Sequence, residues 1–461
     1  MSIFNSDLKP EQIISALKDV KSSIHFVGIL GSGMYPLARL LSWRGYRISG
    51  SDDNAPPTPY TDERGIRITR PRGELDRDTG LVVYSLAIDE KNADIQRAKG
   101  NALPLISRAQ LLGAVMDGYK TRISVSGSHG KSTVTALIDH ILSVSGVLHT
   151  AVCGARLASG ESYTDGKGDI FVAEACEYKD SFLRLSPTHQ LITSVELDHT
   201  DYFSSIDSIY ASFTRAAENA NTVILNCDDA GAEEIASRLH GKNIVTYGCN
   251  ECADYRITSI QECEDTVSFT VETTRRKFNL ETSLIGRFNL YNIAAAVAMT
   301  DILGVNALDI ERAVLTFLPI DRRMTLISRI GDIPVYYDYA HHPSEIAAVI
   351  SALKDKYGSV TVIFRPHTYS RTQSLWDSFI AELCKADFTI LLDIYPAREP
   401  KVDGVDSQKL ASAIENSVYA KMSEAANIAA SRPSGAIALL GAGEVDDVKK
   451  KLVELGKETE Q

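Results

Sequence analysis

The stretch Ser126-Gly127-Ser128-His129-Gly130-Lys131-Ser132-Thr133 constrains this chain more than any other. Ahead of it, Thr121 to Ser126 alternates apolar and polar residues, as a half-buried strand does. Behind it, Val134 to Leu142 carries apolar residues at helical spacing. A glycine-rich turn between strand and helix offers backbone N–H groups and a positive helix end to an anion. Lys131 adds a mobile positive charge, and the Ser132 hydroxyl can ligate Mg²⁺. The stretch therefore predicts a phosphate cradle. It is not the long P-loop, whose first glycine would fall at Val125. Only Gly127-x-x-Gly130-Lys131-Ser132 remains, a loop of a shorter type. An ordinary turn with an exposed lysine is the bland alternative, and the strand and helix on either side argue against it.

A chain of 461 residues has room for about three domains. A net charge of −12, from 60 acidic against 48 basic residues, argues against a nucleic-acid partner, because a phosphate backbone attracts basic surfaces. No apolar run approaches the roughly 18 residues that span a bilayer. Met1 to Pro10 has no apolar core and is not a secretory signal. The expectation is a cytoplasmic protein with no nucleic-acid or membrane partner, a monomer or a weak homodimer. Seven irregularly spaced cysteines read as reduced thiols. Cys249-x-x-Cys252, with Cys263 beyond, lacks the second close pair that a zinc site usually needs.

The order of elements predicts an α/β protein. After a short helix at 11–19, Ile24 to Gly28 reads as a strand, Met34 to Trp43 as a helix and Tyr46 to Gly50 as a second strand. This opens a Rossmann-like unit, although Gly28-x-x-Gly31-x-Gly33 is not the dinucleotide spacing, and a tight structural turn explains it as well. A linker at Asp117–Lys120 closes a first domain over 1–118. The central domain, 119–318, holds the phosphate loop, strands ending at Glu174 and Val195, an antiparallel β portion over 254–285 and an Ala-rich helix from Asn289 to about Leu303. A boundary at Phe317-Leu-Pro319 opens a second Rossmann-like domain, 319–461.

Acids and histidines cluster at predicted strand ends, where α/β sheets bind ligands. Glu174 ends one strand, and His199 follows the next in Asp198-His199-x-Asp201. Mg²⁺ prefers oxygen ligands, so on local grounds a capping or core histidine is the favoured reading of His199. Tyr339-Ala-His341-His342 and His367-x-x-x-Arg371 follow strands of the last domain. Arg371 could grip a carboxylate with both arms. Adjacent histidines in an extended segment point opposite ways, so one of His341 and His342 is the functional one. Asn289 and Asn292 fit helix caps, and Arg323 could meet phosphate or solvent.

The motifs in order resemble the Mur ligases, the ATP-dependent amide-forming enzymes of peptidoglycan precursor synthesis. The resemblance runs over essentially the whole chain. It is carried by ten short motifs: Gly28-Ile-Leu-Gly-Ser-Gly-Met34, Ser49-Gly-Ser-Asp52, Gly127-Ser-His-Gly-Lys-Ser132, Glu174-Ala-Cys-Glu-Tyr178, Glu196-Leu-Asp-His199, Asn289-x-x-Asn292, Asp321-Arg-Arg323, Asp338-Tyr-Ala-His-His-Pro343, Pro366-His-Thr-Tyr-Ser-Arg-Thr372 and Gly441-Ala-Gly443. It implies three domains: a Rossmann-like UDP-sugar domain, a central P-loop ATPase-type α/β domain and a Rossmann-like amino-acid domain. It implies ATP and Mg²⁺, with UDP-N-acetylmuramate and L-alanine as substrates joined through an acyl phosphate. Lys131, Glu174, His199 and Arg323 would be catalytic, and Ser132, Glu174 and His199 would be associated with metal. ATP would meet Gly127, Ser128, His129, Gly130, Lys131, Ser132, Thr133, Asn289, Asn292 and Arg323. The UDP-sugar would meet Gly28, Gly31, Ser32, Gly33, Met34, Ser51 and Asp52. Tyr339, His341, His367 and Arg371 would form the amino-acid pocket.

Some positions depart from the family pattern. Leu30 stands where glycine is usual, Ser128 and Ser132 replace threonines, and Phe288 replaces a histidine. Leu318 takes the place of a glycine and Met324 that of a phenylalanine. Two alternatives follow: a related ligase that attaches a preformed peptide to the same sugar nucleotide, and a non-catalytic nucleotide-binding homologue.

Overall fold

The computed structural model describes residue 13 and residues 23–459, apart from 158, 200, 201, 398 and 433. The expected helix at 11–19 lies outside the described residues except for Ile13. Three sheets follow one another along the chain, of six, ten and six strands.

In the first sheet, Ser23–Val27 pairs in parallel with Ile48–Ser51 on one side and Thr79–Tyr84 on the other. The strand Ser23–Val27 is buried along its whole length, as expected of a parallel strand covered on both faces. The glycine loop that follows it is closed by the Gly28 N–H donating to the Ser51 carbonyl at 2.7 Å. Asp52 ties the same turn, its Oδ2 accepting from the Leu30 N–H at 3.0 Å.

In the central sheet, Thr121–Ser126 lies between His189–Ile192 and Ile170–Glu174, all parallel. Their carboxyl ends therefore open side by side, which brings the phosphate loop, Glu174 and the 193–199 segment together. The period-two region forms three strands, Tyr255–Glu262, Val267–Glu272 and Lys277–Thr282, joined antiparallel as expected. The Ala-rich helix runs from Arg287 to Ile302 and packs on the helix Lys131–Val144 that follows the phosphate loop. Its cap is Gly286 at φ 96, so Asn289 and Asn292 lie inside the helix and do not cap it. In the third sheet, Ile333–Asp338, Ala436–Leu440, Val360–Phe364 and Phe388–Leu391 are parallel neighbours, with the hairpin strand Thr325–Ile330 on one edge.

The first two units share one continuous apolar cluster, which runs from Phe26 and Leu111 through Phe182 to Phe213. The helix Arg108–Met116 comes so close that a Cβ on Gly113 would lie 2.2 Å from the Arg184 carbonyl oxygen. The third unit has its own two cores, and of the central residues Ile285 and Phe288 pack against them. Burial of apolar area, worth about 25 cal/mol per Å², thus fixes the first two units to each other. Polar contacts also join the third unit to the others, among them Arg371 with Asp198 and His129 with Glu345. None of the described helices is long and apolar enough to cross a membrane.

Candidate active site

The carboxyl ends of the central sheet open into a cleft of about 1030 Å³ lined from all three units. Its floor is the phosphate loop. Gly130 takes a left-handed conformation at φ 80, and a Cβ there would lie 2.5 Å from Asn292 Oδ1. Gly127, at φ 136, has no room for a Cβ against Thr193 Oγ1. Glycine at both positions is therefore required by geometry.

Lys131 Nζ is fully engaged. It donates to the Gly127 carbonyl, to the Ser128 carbonyl at 3.1 Å and to Glu177 Oε1 at 3.1 Å. Burial alone would lower its pKa, but Glu177, Cys176 and Glu174 together outweigh burial and raise it. Burial would likewise raise the Glu177 carboxyl, yet Lys131 and then His199 hold it below the usual range. Ser132 Oγ donates to Glu174 Oε2 at 2.9 Å, and the same oxygen accepts from the Gly154 N–H at 2.8 Å. His199 Nε2 lies 3.6 Å from Glu177 Oε1.

Sequence reasoning quoted Glu177 within a motif but gave it no role. Here it touches both Lys131 and His199, and its second oxygen is buried without a hydrogen-bond partner. The signal was the Glu174-x-x-Glu177 spacing at a strand end, which turns both carboxylates into the loop. The donor set of Ser132, Glu174, Glu177 and His199 is rich in hard oxygen, and the orphaned Glu177 oxygen lies within it. These residues fit Mg²⁺.

Arg323, Tyr339, His341, His367 and Arg371 enter the same cleft from the third unit. Arg371 donates to Asp198 Oδ1 at 2.8 Å across the domain boundary and to His367 Nδ1 at 3.3 Å. Burial would raise the Asp198 carboxyl, but Arg371 pulls it far below the usual range. Burial pushes His341 down to about 3 and His367 down to about 4, so both are neutral at physiological pH. His341 faces the cleft, whereas His342 caps its helix by accepting from the Ser344 N–H, so the adjacent rings point to different surroundings.

A second cavity of about 260 Å³ adjoins the loop and is lined by Thr133, Asn289, Asn292, Phe288, Phe317 and Arg323, among others. Its largely apolar wall with two amides suits a planar heterocycle. Of the expected sugar-nucleotide residues, Ser32 lines the cleft and Gly33 a side cavity of about 250 Å³ beside Arg108 and Cys176. Met34 and Ser51 do not reach it: Met34 packs in the core and Ser51 is fully buried. Gly28, Gly31 and Asp52 shape the turn through the bonds that close it. Leu30, the departure from the family pattern, is partly exposed and lines the cleft.

Three family models match in succession: "Mur ligase family, catalytic domain" over residues 23–120, "Mur ligase middle domain" over 125–300 and "Mur ligase, glutamate ligase domain" over 322–443. A UDP-N-acetylmuramate–L-alanine ligase of Caldanaerobacter subterraneus subsp. tengcongensis is 39% identical over 85% of this chain and 87% of its own. Its namesake from Aquifex aeolicus is 35% identical over 88% and 91%. Among solved structures, the UDP-N-acetylmuramate-alanine ligase of Thermotoga maritima superposes with a TM-score of 0.78, at 23% identity, over 95% of this chain and 99% of its own. A murein peptide ligase of Psychrobacter arcticus gives 0.69 at 20% identity, over 94% and 98%. The chain belongs to the Mur ligase family.

Proposed function

We propose that this protein joins L-alanine to the lactyl carboxylate of UDP-N-acetylmuramate at the expense of ATP, in peptidoglycan precursor synthesis. One observation carries the reading: a phosphate loop, an acidic pair and a carboxylate-gripping arginine face one another in a single cleft lined from three units. Relatives that are 33–39% identical over most of the chain, and that bear this activity in their names, support it. The domain limits are 1–118, 119–318 and 319–461, and the protein works in the cytoplasm as a monomer or weak homodimer.

ATP would lie with its base in the smaller cavity lined by Asn289 and Asn292, and its phosphates on the backbone N–H groups of the loop and the side chains of Lys131 and Ser132. A lactyl carboxylate oxygen attacks the γ-phosphorus and ADP leaves, giving an acyl phosphate. The ammonium of L-alanine gives up a proton to solvent, and the resulting neutral amine attacks the acyl carbon. The tetrahedral intermediate expels inorganic phosphate, and the nitrogen sheds a proton as the amide forms. No covalent enzyme nucleophile is required. Lys131 and Arg323 offset the charge on the transferred phosphoryl group, in a site where oriented charges act most strongly. Ser132, Glu174, Glu177 and His199 would hold Mg²⁺, which would supply further positive charge to the phosphates. Arg371 takes the alanine carboxylate. His341 and His367, being neutral, do not repel the incoming ammonium. Holding both substrates in line converts a bimolecular attack into a positioned one.

The test is phosphate release with ATP, UDP-N-acetylmuramate and single amino acids or a tripeptide. Release that depends on L-alanine is expected. Release with the tripeptide alone would shift the reading to a peptide-attaching ligase, and none with any acceptor to a non-catalytic homologue.

A further inference from the structure

Polar contacts tie the amino-acid-carrying unit to the rest, and a dense group of them centres on His129 of the phosphate loop. The loop backbone fixes this residue. Its N–H donates to Ser194 Oγ at 3.2 Å, its carbonyl accepts from Thr193 Oγ1, and the neighbouring Ser128 Oγ accepts from the Glu196 N–H at 2.9 Å. The ring then reaches across the domain boundary. Nδ1 lies 3.0 Å from Glu345 Oε1, and Nε2 lies 3.0 Å from Ser344 Oγ and 3.4 Å from Glu196 Oε2.

Ser344 and Glu345 open the helix Pro343–Tyr357 of the third unit. Glu345 uses its other oxygen to accept the backbone N–H groups of His341 and His342, at 2.9 and 3.2 Å. One carboxylate therefore braces the start of its own helix and grips the phosphate loop. Ser344 Oγ lies 2.8 Å from Glu196 Oε2 and 2.7 Å from His342 Nδ1. His129, Glu196 and His342 have ligand atoms within 4.8 Å of one another, a spacing open to a metal ion. The Ser344 hydroxyl lies between them, 3.0 Å from His129 Nε2, 2.8 Å from Glu196 Oε2 and 2.7 Å from His342 Nδ1, which favours a contact between domains over a metal site.

We propose that His129, acting through Glu345 and Ser344, is a positioning residue that seats the amino-acid domain on the phosphate loop for attack on the acyl phosphate. The inference rests on the ligase reading above. The loop that handles ATP also holds the domain that delivers the amine, so one residue links the two half-reactions. It touches no reacting atom in this role. The side chain that sequence reasoning assigned to ATP is spent on the neighbouring domain.

The experiment compares wild type, His129→Ala, Glu345→Gln and the double variant. Gln retains the helix-capping acceptor, so Glu345→Gln removes charge without removing the cap. In single turnovers without L-alanine, hydroxylamine traps the acyl phosphate, and its formation should stay within about threefold of wild type, the loss being confined to the second half-reaction. In steady state, kcat/KM for L-alanine should fall about 10- to 100-fold in each single variant, the worth of one charge-assisted hydrogen bond. The double variant should be no worse than His129→Ala, because the contact that Glu345→Gln weakens is already gone there. Acyl phosphate formation that falls as far as amide formation would overturn the proposal, since His129 would then serve ATP. So would losses that multiply in the double variant. Small-angle scattering with a non-hydrolysable ATP analogue needs no turnover. His129→Ala should show a larger radius of gyration than wild type, and equal radii would overturn the proposal. Failure of the ligase reading would appear in wild type, as absent phosphate release with L-alanine, whereas failure of the positioning role would appear in the variants.

Discussion

Replacing Lys131 by alanine separates what the phosphate loop does for catalysis from what it does for the fold. The ammonium has three donors and all are used, on Gly127, Ser128 and Glu177. A phosphoryl oxygen must take over at least one of them. A unit charge pair at about 3 Å in an effective dielectric near 20 is worth about 5 kcal/mol. Lys131 already has such a partner in Glu177, so the gain in the transition state is the difference between two such terms. Loss of a donor aimed at developing charge costs about 3–4 kcal/mol, or roughly 10²–10³ in kcat. The same change leaves the Glu177 carboxylate buried without its main counter-charge, which costs about 3–5 kcal/mol of stability. Lys131→Ala should therefore lose both activity and stability, whereas Lys131→Ala combined with Glu177→Gln should regain stability alone. Phosphate release measured well below each unfolding midpoint, together with urea unfolding, reads the two effects apart. Lys131→Ala with kcat within tenfold of wild type would refute the reasoning. Recovery of activity in the double variant would refute it too, because Lys131 would then only neutralise Glu177.

Gly130→Ala should abolish ATP binding, measured by calorimetry, because its Cβ meets Asn292 and the left-handed backbone costs a further 1–2 kcal/mol or so. Arg371→Ala should raise KM for L-alanine about 100-fold, on about 3 kcal/mol for a charged hydrogen-bonded pair, while KM for ATP stays unchanged in the same phosphate-release assay. His367 has a folded pKa of about 4 against an ordinary value near 6.5. Between these values the unfolded chain binds more protons, so wild-type stability should rise with pH from about 4 to 6.5, and the urea midpoint of His367→Gln should rise less over that window. Chelation of Mg²⁺ should stop phosphate release, and Glu177→Gln should raise the Mg²⁺ concentration needed to restore it.

Much of this arrangement was legible in the sequence because local patterns carry it. The strand–loop–helix at 121–142, the period-two region at 254–285 and the Ala-rich helix each follow from the spacing of apolar residues. The strand ends at Glu174 and before His199 placed acids beside the loop because parallel strands share one carboxyl edge. Partners across domains were not legible. Nothing near Asp198 announces Arg371, and nothing near His129 announces Glu345, since such contacts depend on how separately folded units meet. The burial of Met34 and Ser51 was not legible for a related reason: a motif marks a turn, but packing decides which of its side chains face the cleft. Helices such as Ile206–Glu218 and Ala307–Thr316 carry clear amphipathic patterns and add little to the chemistry.

The cations of the cleft share a feature that bears on how substrates enter. Lys131 is paired with Glu177 at 3.1 Å, Arg371 with Asp198 at 2.8 Å, and Arg323 lies 4.0 Å from Glu345. An unpaired buried charge costs several kcal/mol, so a site built to receive a triphosphate and two carboxylates needs internal counter-ions before they arrive. Each substrate anion then exchanges one partner for another instead of filling an empty charge. Binding is weaker than the count of positive groups suggests, because the displaced carboxylate must find a new partner. For Glu177 that partner is the cation that accompanies ATP, so nucleotide and metal ion enter as one charge-balanced exchange. For Asp198, which the proposed function releases when Arg371 turns to the alanine carboxylate, it would be the alanine ammonium. The amino acid thus meets a matched pair of charges, and a compound lacking either its carboxylate or its amine would leave one of them stranded. Selectivity for a free amino acid follows from that pairing before the size of the side chain is considered.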